Sequence, residues 1–178
     1  DALRDFMPVT MLAAGPGLLV VHPSVTAGSV RELIALAKAR PGQLRYASPG
    51  SGTPPHLAAE LFRQLAGVDL VHVPYKGNAQ ALTDMISGQV TVSFPVIPAV
   101  LQHVTGGRLR GLAVTSAQRS SVMPSTPTIA ESGLPGYESI SWYGLLFPAG
   151  VPAGVVTRLH QAVAAALQHP RSEEHTSE

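Results

Sequence analysis

Apolar residues in this chain fall into short runs separated by glycine and proline, and their spacing switches between strand-like and helix-like periods. Phe6–Ala13 and Leu18–His22 read as two strands split by the turn Gly15-Pro16-Gly17. Ser29 followed by Glu32 predicts a capping box, and the helix behind it puts Val30, Leu33, Ile34 and Ala37 on one face before Pro41-Gly42 ends it. Residues 43–48 are strand-like. Thr53 then suits an N-cap and Pro54 a first helical position, ahead of an apolar stripe at Leu57, Ala58, Leu61, Phe62 and Leu65. The alternation repeats twice. A strand at 68–73 is closed by Pro74-Tyr75-Lys76-Gly77, and Asn78 is placed to cap a helix carrying Leu82, Met85 and Ile86. A strand at 89–94 precedes a short helix through Val100, Leu101 and Val104, and residues 109–115 form one more strand. Strand and helix repeated with short connections predict an α/β fold with a parallel sheet.

The pattern changes after Ser116. Residues 116–136 are rich in Ser, Thr and Pro, with one small helix expected at 127–132, a strand at 137–147, and a long helix opened by Pro152. This divides the chain into 1–23 and 116–170, which belong together, and 24–115, a separate parallel-sheet unit. Residues 171–178 carry no apolar side chain and read as a translated sequencing adapter, a probable non-native tail. The abrupt start at Asp1 is read as the start of a fragment whose signal peptide is lost.

Composition narrows the classes. The apolar fraction of 45% supports a core, while the net charge of +1 and the lack of any long basic run argue against nucleic acid. Without cysteine there is no disulfide, thiolate metal site or cysteine nucleophile. No apolar run approaches the ~20 residues of a membrane span. The seven histidines form no metal-binding spacing, so no metal or cofactor is expected. Ser51 lies in Gly50-Ser-Gly-Thr rather than in a nucleophile elbow, and Glu60 and Asp84 read as helix-surface charges, so no catalytic set emerges.

Two segments carry candidate binding chemistry. In Tyr46-Ala-Ser-Pro-Gly-Ser-Gly-Thr-Pro-Pro-His56, glycines let backbone N–H groups approach a ligand, Ser48, Ser51 and Thr53 add hydroxyls, and a helix N-terminus faces the same point. The alternative is a tight capped turn with nothing bound. The other segment is Lys76-Gly77-Asn78, also at a strand-to-helix junction. If residues 43–48 and 68–73 are parallel neighbours, both loops leave the same sheet edge, where open α/β sheets bind ligands. The alternative there is a solvated loop lysine. Phe94-Pro95-Val96 offers apolar pocket wall or simply core, and Trp142 and Tyr143 read as stacking on a ligand or as buried, with burial the expectation.

Five runs in order resemble the Bug-type receptors of tripartite tricarboxylate transporters: residues 46–53, 72–77, 112–116, Pro127-Thr-Ile-Ala-Glu-Ser-Gly-Leu-Pro-Gly-Tyr137, and Trp142-Tyr-Gly-Leu-Leu-Phe-Pro-Ala-Gly150. The resemblance implies a periplasmic, two-lobed clam-shell binding protein of type 2 fold, with 24–115 as one complete lobe and the flanks as parts of the other. It implies capture of a small carboxylate without chemistry, no direct membrane insertion, and delivery to membrane permease subunits. Carried over by position, the ligand contacts fall at Ser48, Ser51, Gly52 and Thr53, with Lys76, Gly77 and Asn78 nearby. A first-lobe loop that completes the cleft in such receptors would lie upstream of Asp1. Many relatives have Asp-Asn where this chain has Pro95-Val96, which points to a ligand with few hydrogen-bond donors, a simple or aromatic carboxylate. Two competing readings stay open: a cytosolic effector-sensing domain of a transcription regulator, and an α/β enzyme acting on a carboxylate.

Overall fold

The computed structural model describes residues 1–169. In chain order the elements are α1 (Ala2–Asp5), β1 (Phe6–Pro16), β2 (Leu18–Val21), α2 (Val30–Ala39), β3 (Arg45–Ser48), α3 (Pro54–Ala66), β4 (Val71–Pro74), α4 (Asn78–Ile86), β5 (Val92–Ser93), α5 (Ile97–Thr105), β6 (Arg110–Val114), β7 (Ile140–Pro148) and α6 (Ala153–Leu167). They fall into two compact units, one of residues 15–141 and one of residues 1–14 with residues 142–169.

The larger unit is built on a five-stranded sheet in the order β4-β3-β5-β2-β6. β3 runs parallel to β4 and to β5, as the strand–helix alternation predicts. β2 runs antiparallel to both β5 and β6. It enters from the Gly15–Gly17 crossover rather than through a helix, so it is free of the handed crossover that forces its neighbours parallel. All four residues of β2 are buried, because helices cover both sheet faces. On one face Leu19, Val21, Tyr46 and Val92 pack with α2 and α3 through Leu33, Ala58 and Phe62. On the other, Leu18, Val20 and Ala47 pack with α4 and α5 through Ala81, Met85, Ile97 and Val100.

The unit boundaries fall at 14/15 and 141/142, outside the expected 23/24 and 115/116. β2 lies inside the sheet, so residues 15–23 stay with it. Residues 116–141 fold back onto it: the Val114 N–H donates to the Pro127 carbonyl, the Ile129 N–H to the Val114 carbonyl, and the buried Tyr137 hydroxyl to the Ala58 carbonyl. Burial drives the Tyr137 hydroxyl pKa up. The helix expected at 127–132 is instead a series of turns, closed by reciprocal bonds between Thr128 and Glu131. The Ser29 capping box forms in altered shape. Ser29 Oγ accepts from the Glu32 N–H, but the Glu32 carboxylate reaches past Ser29 to the Gly28 N–H.

In the smaller unit β1 pairs with β7, and His160 on α6 lies 3.1 Å from the Val9 carbonyl through Nδ1. Trp142 and Tyr143 are 63% and 58% exposed, against the burial expected for them. Residues 171–178, read from sequence as a non-native tail, lie outside the described residues.

Candidate functional site

The parallel register of β3 and β4 pairs Tyr46 with His72 and Ser48 with Pro74, so the two strands end at the same level. The Tyr75 N–H extends the ladder by donating to the Ser48 carbonyl at 2.9 Å. The glycine loop and the Lys76 loop therefore leave one edge side by side. A Cβ built on Gly50 would come 3.7 Å from the Tyr75 carbonyl oxygen, which measures how closely the loops approach.

The glycine loop spends most of its donors on itself. Ser48 is fully buried. Its Oγ accepts from the Gly50 N–H (3.2 Å) and lies 3.0 Å from the Gly50 carbonyl and 2.7 Å from His72 Nε2. Gly52 adopts φ +79°, a left-handed conformation natural only to glycine, and its N–H donates to His56 Nδ1 at 3.2 Å. The Thr53 hydroxyl donates to the Gly50 carbonyl at 2.6 Å and caps nothing, although Thr53 occupies the N-cap position. The Thr53 N–H also returns to Gly50. Pro54 and Pro55 have no N–H to offer. What remains is the Ser51 N–H and hydroxyl, both without a protein partner among the described residues, on an exposed residue.

Two histidines hold this loop in place. His72 stacks on Tyr46 with ring centroids 4.8 Å apart, and His56 meets His72 at 4.4 Å. The Tyr46 hydroxyl donates to Glu60, which also pairs with Arg63 at 2.9 Å. Burial drives Tyr46 up, helped by its bond to Glu60. Burial alone would raise Glu60, but the bonds from Tyr46 and Arg63 outweigh it and leave the carboxyl below its ordinary range. Burial, reinforced by the charge of His56, lowers His72. Glu60 is thus a partner in a half-buried cluster, not the free surface charge expected for it. The sequence signal for His72 was the cross-strand pairing, which places it beside Tyr46 once β3 and β4 are aligned.

The second loop is in the opposite state. The N–H groups of Lys76, Gly77, Asn78, Ala79 and Gln80 donate to no acceptor among the described residues. Gly77, not Asn78, holds the N-cap position of α4, and no side chain caps that helix. Asn78 is its first residue, exposed, with a side-chain amide that makes no hydrogen bond. Lys76 is exposed and pairs with no carboxylate among the described residues. The loop is anchored from behind, where the Tyr75 hydroxyl donates to Asp84 at 2.8 Å. Burial and that bond push the Tyr75 pKa up to about 12. Asp84, expected as a surface charge, is half-buried and holds the loop. Free donors at the start of a helix, where the macrodipole is positive, are suited to an anion.

The loops share a cavity of about 160 Å³. Pro49 and Pro55 border it from the glycine loop, Asn78 and Ala79 from the start of α4, and Pro95 from the loop after β5. Ser51, Gly52, Thr53, Lys76 and Gly77 lie outside that lining. No group of His, Asp or Glu among the described residues is arranged to hold a metal ion, and no helix among them is long and apolar enough to cross a membrane.

Residues 1–178 match the family described as tripartite tricarboxylate transporter family receptor. The chain is 37% identical over 166 residues to the protein BugT of Bordetella pertussis, covering 93% of this chain and 51% of that protein. It superposes with a TM-score of 0.87 on Rpa4515 of R. palustris, solved with adipate, at 41% identity over 96% of this chain and 57% of the other. It superposes equally, at 0.87, on MatC of Rhodopseudomonas palustris with bound malate, at 29% identity over 94% and 57%. The α/β architecture is that of periplasmic binding proteins, among them structures described as the periplasmic binding protein BugD and a TctC solute binding protein from Polaromonas. The chain spans about half the length of the curated relatives it matches.

Proposed function

Because the chain belongs to the tripartite tricarboxylate transporter receptor family, we propose that the protein it represents captures a small carboxylate in the periplasm and hands it to the permease subunits of such a transporter. The observation that carries this reading is the run of five unpartnered N–H groups at Lys76–Gln80, on the loop adjacent to the one that carries the free Ser51 hydroxyl. A carboxylate placed there gains charge-assisted bonds from a surface that is already organised. The contacts are Ser51, Lys76, Gly77 and Asn78, with Gly52 and Thr53 shaping the neighbouring loop and Ser48 supporting it from below. Residues 15–141 form one lobe of the receptor, and residues 1–14 with 142–169 belong to the other. Binding involves no bond-making, and the regulator and enzyme readings gain no support from the family or from its structural neighbours.

The relative solved with adipate, a plain dicarboxylate, is 41% identical to this chain against 29% for the one solved with malate, which favours a ligand with few donors. Pro95 agrees, because it puts an apolar ring where a hydroxyl or amino group of a ligand would need a partner. Titration calorimetry of the full-length protein against plain carboxylates, amino acids and the matching uncharged amides tests the proposal. Saturable binding of carboxylates alone is expected. Tighter binding of an amino acid, or equal binding of the amide, contradicts it.

A further inference from the structure

The cavity between α4, α5 and the sheet is more than a gap in the packing. Its volume of about 160 Å³ matches the ~150 Å³ of an apolar cavity that stays dry and takes up benzene. Its floor is hydrocarbon: Val20, Met85, Val100 and Leu109 line it, each at most 2% exposed. The one hydroxyl on the wall, that of Ser93, already donates to the Ala47 carbonyl at 3.0 Å. Nothing inside is left to bind a second carboxylate or a hydroxyl, and an unpaired polar group there bears the full cost of lost hydration. The mouth is different. Asn78 and Ala79 are exposed and line the cavity, and they belong to the turn that carries the free N–H groups.

We propose that this cavity is a specificity pocket for the hydrocarbon end of the ligand. It selects acids that have one carboxylate and an unsubstituted body of about six carbons, of the benzoate or hexanoate type. This rests on the receptor reading above and goes beyond it. It sets the preferred ligand apart from the dicarboxylate seen in the adipate-bound relative. The carboxylate sits at the first turn of α4 and the ring or chain points down between Leu82 and Val100. A dicarboxylate of similar length has to leave its far end in water or bury a charge.

The test compares benzoate, hexanoate, adipate and succinate on the full-length protein, before and after the pocket is filled. Ala99 is exposed on α5 and lines the cavity, so Ala99→Phe can fold its ring inward without displacing a core residue. Leu82→Trp fills it from the α4 side and serves if the first variant melts early. In the unaltered protein benzoate and hexanoate are expected to bind about tenfold or more tighter than succinate, and tighter than adipate. In either variant that advantage disappears while succinate changes by less than about twofold. If adipate or succinate binds best, or if the preference survives both variants, the pocket assignment is wrong and the receptor reading stands. If no carboxylate binds at all, both fall.

Discussion

The glycine loop at 48–53 and the loop at 75–80 leave adjacent parallel strands at the same level of the sheet, yet their backbone donors are in opposite states. In the first, the N–H groups of Gly50, Gly52 and Thr53 are held by Ser48, His56 and Gly50, and two prolines follow. In the second, five N–H groups in a row have no partner among the described residues. Glycine content identifies a loop able to approach a ligand; it does not say whether its donors are available. In the proposed receptor the glycine-rich segment is the wall, and the segment with one glycine and one lysine is the seat. The difference arises mostly within the loops. Ser48 and the Gly50 carbonyl turn back on the first, with His56 holding the Gly52 N–H and His72 bracing Ser48, whereas nothing returns to satisfy the second.

Four changes break or sharpen this contrast. The largest effect on binding is expected for Asn78→Pro. Proline is tolerated at a first helical position, so α4 is retained while one free donor is deleted. Losing one hydrogen bond to a charged ligand costs about 1.5–3 kcal/mol, roughly ten- to a hundredfold in the dissociation constant, with an unchanged circular dichroism spectrum. Ser48→Ala acts on the other loop and on stability. It strands the Gly50 N–H and one His72 nitrogen in a partly buried place, and denaturant unfolding should show a loss of about 1–2 kcal/mol. Carboxylate affinity should fall less than for Asn78→Pro, and a larger fall would reverse the roles assigned to the two loops.

Lys76→Gln is expected to weaken binding by no more than about fivefold, because the ammonium is exposed and screened. The loss should shrink further in high salt, and calorimetry at two ionic strengths reads this directly. The smallest effect is a pH dependence of stability. His72 has a lowered pKa in the folded protein through burial and its neighbour His56, with Arg63 acting in the same direction and Glu60 opposing it. The unfolded chain then binds more protons at this site, so stability is complete above the ordinary histidine value of about 6.5 and declines as the pH falls below it. His72→Gln should flatten that decline in a series of melts between pH 7.5 and 5.

Much of this site is legible in the residues, and the limits of that reading are physical. The spacing of Val30, Leu33 and Ala37, and of Ala58, Phe62 and Leu65, fixes α2 and α3 because an amphipathic period needs no tertiary information. The pairing of β3 with β4 follows from two strand-sized runs joined by one helix. The reversed β2 does not follow, since a four-residue strand buried on both faces carries no directional signal. Residues 127–132 contain a capping pair, Thr128 and Glu131, which serves a turn as well as a helix. The donors removed by Pro54 and Pro55 were visible in the sequence. The satisfaction of Gly52 by His56 was not, because it depends on a side-chain rotamer turned back toward the loop.

The central claim is that the carboxylate is held by the N–H groups of Lys76–Gln80. Amide proton NMR of the full-length protein during a carboxylate titration reads each donor separately. Downfield shifts of the Lys76–Gln80 amide protons are expected, together with Ser51, while Gly50, Gly52 and Thr53 hold still. Shifts confined to Gly50, Gly52 and Thr53, with the α4 turn silent, would contradict it.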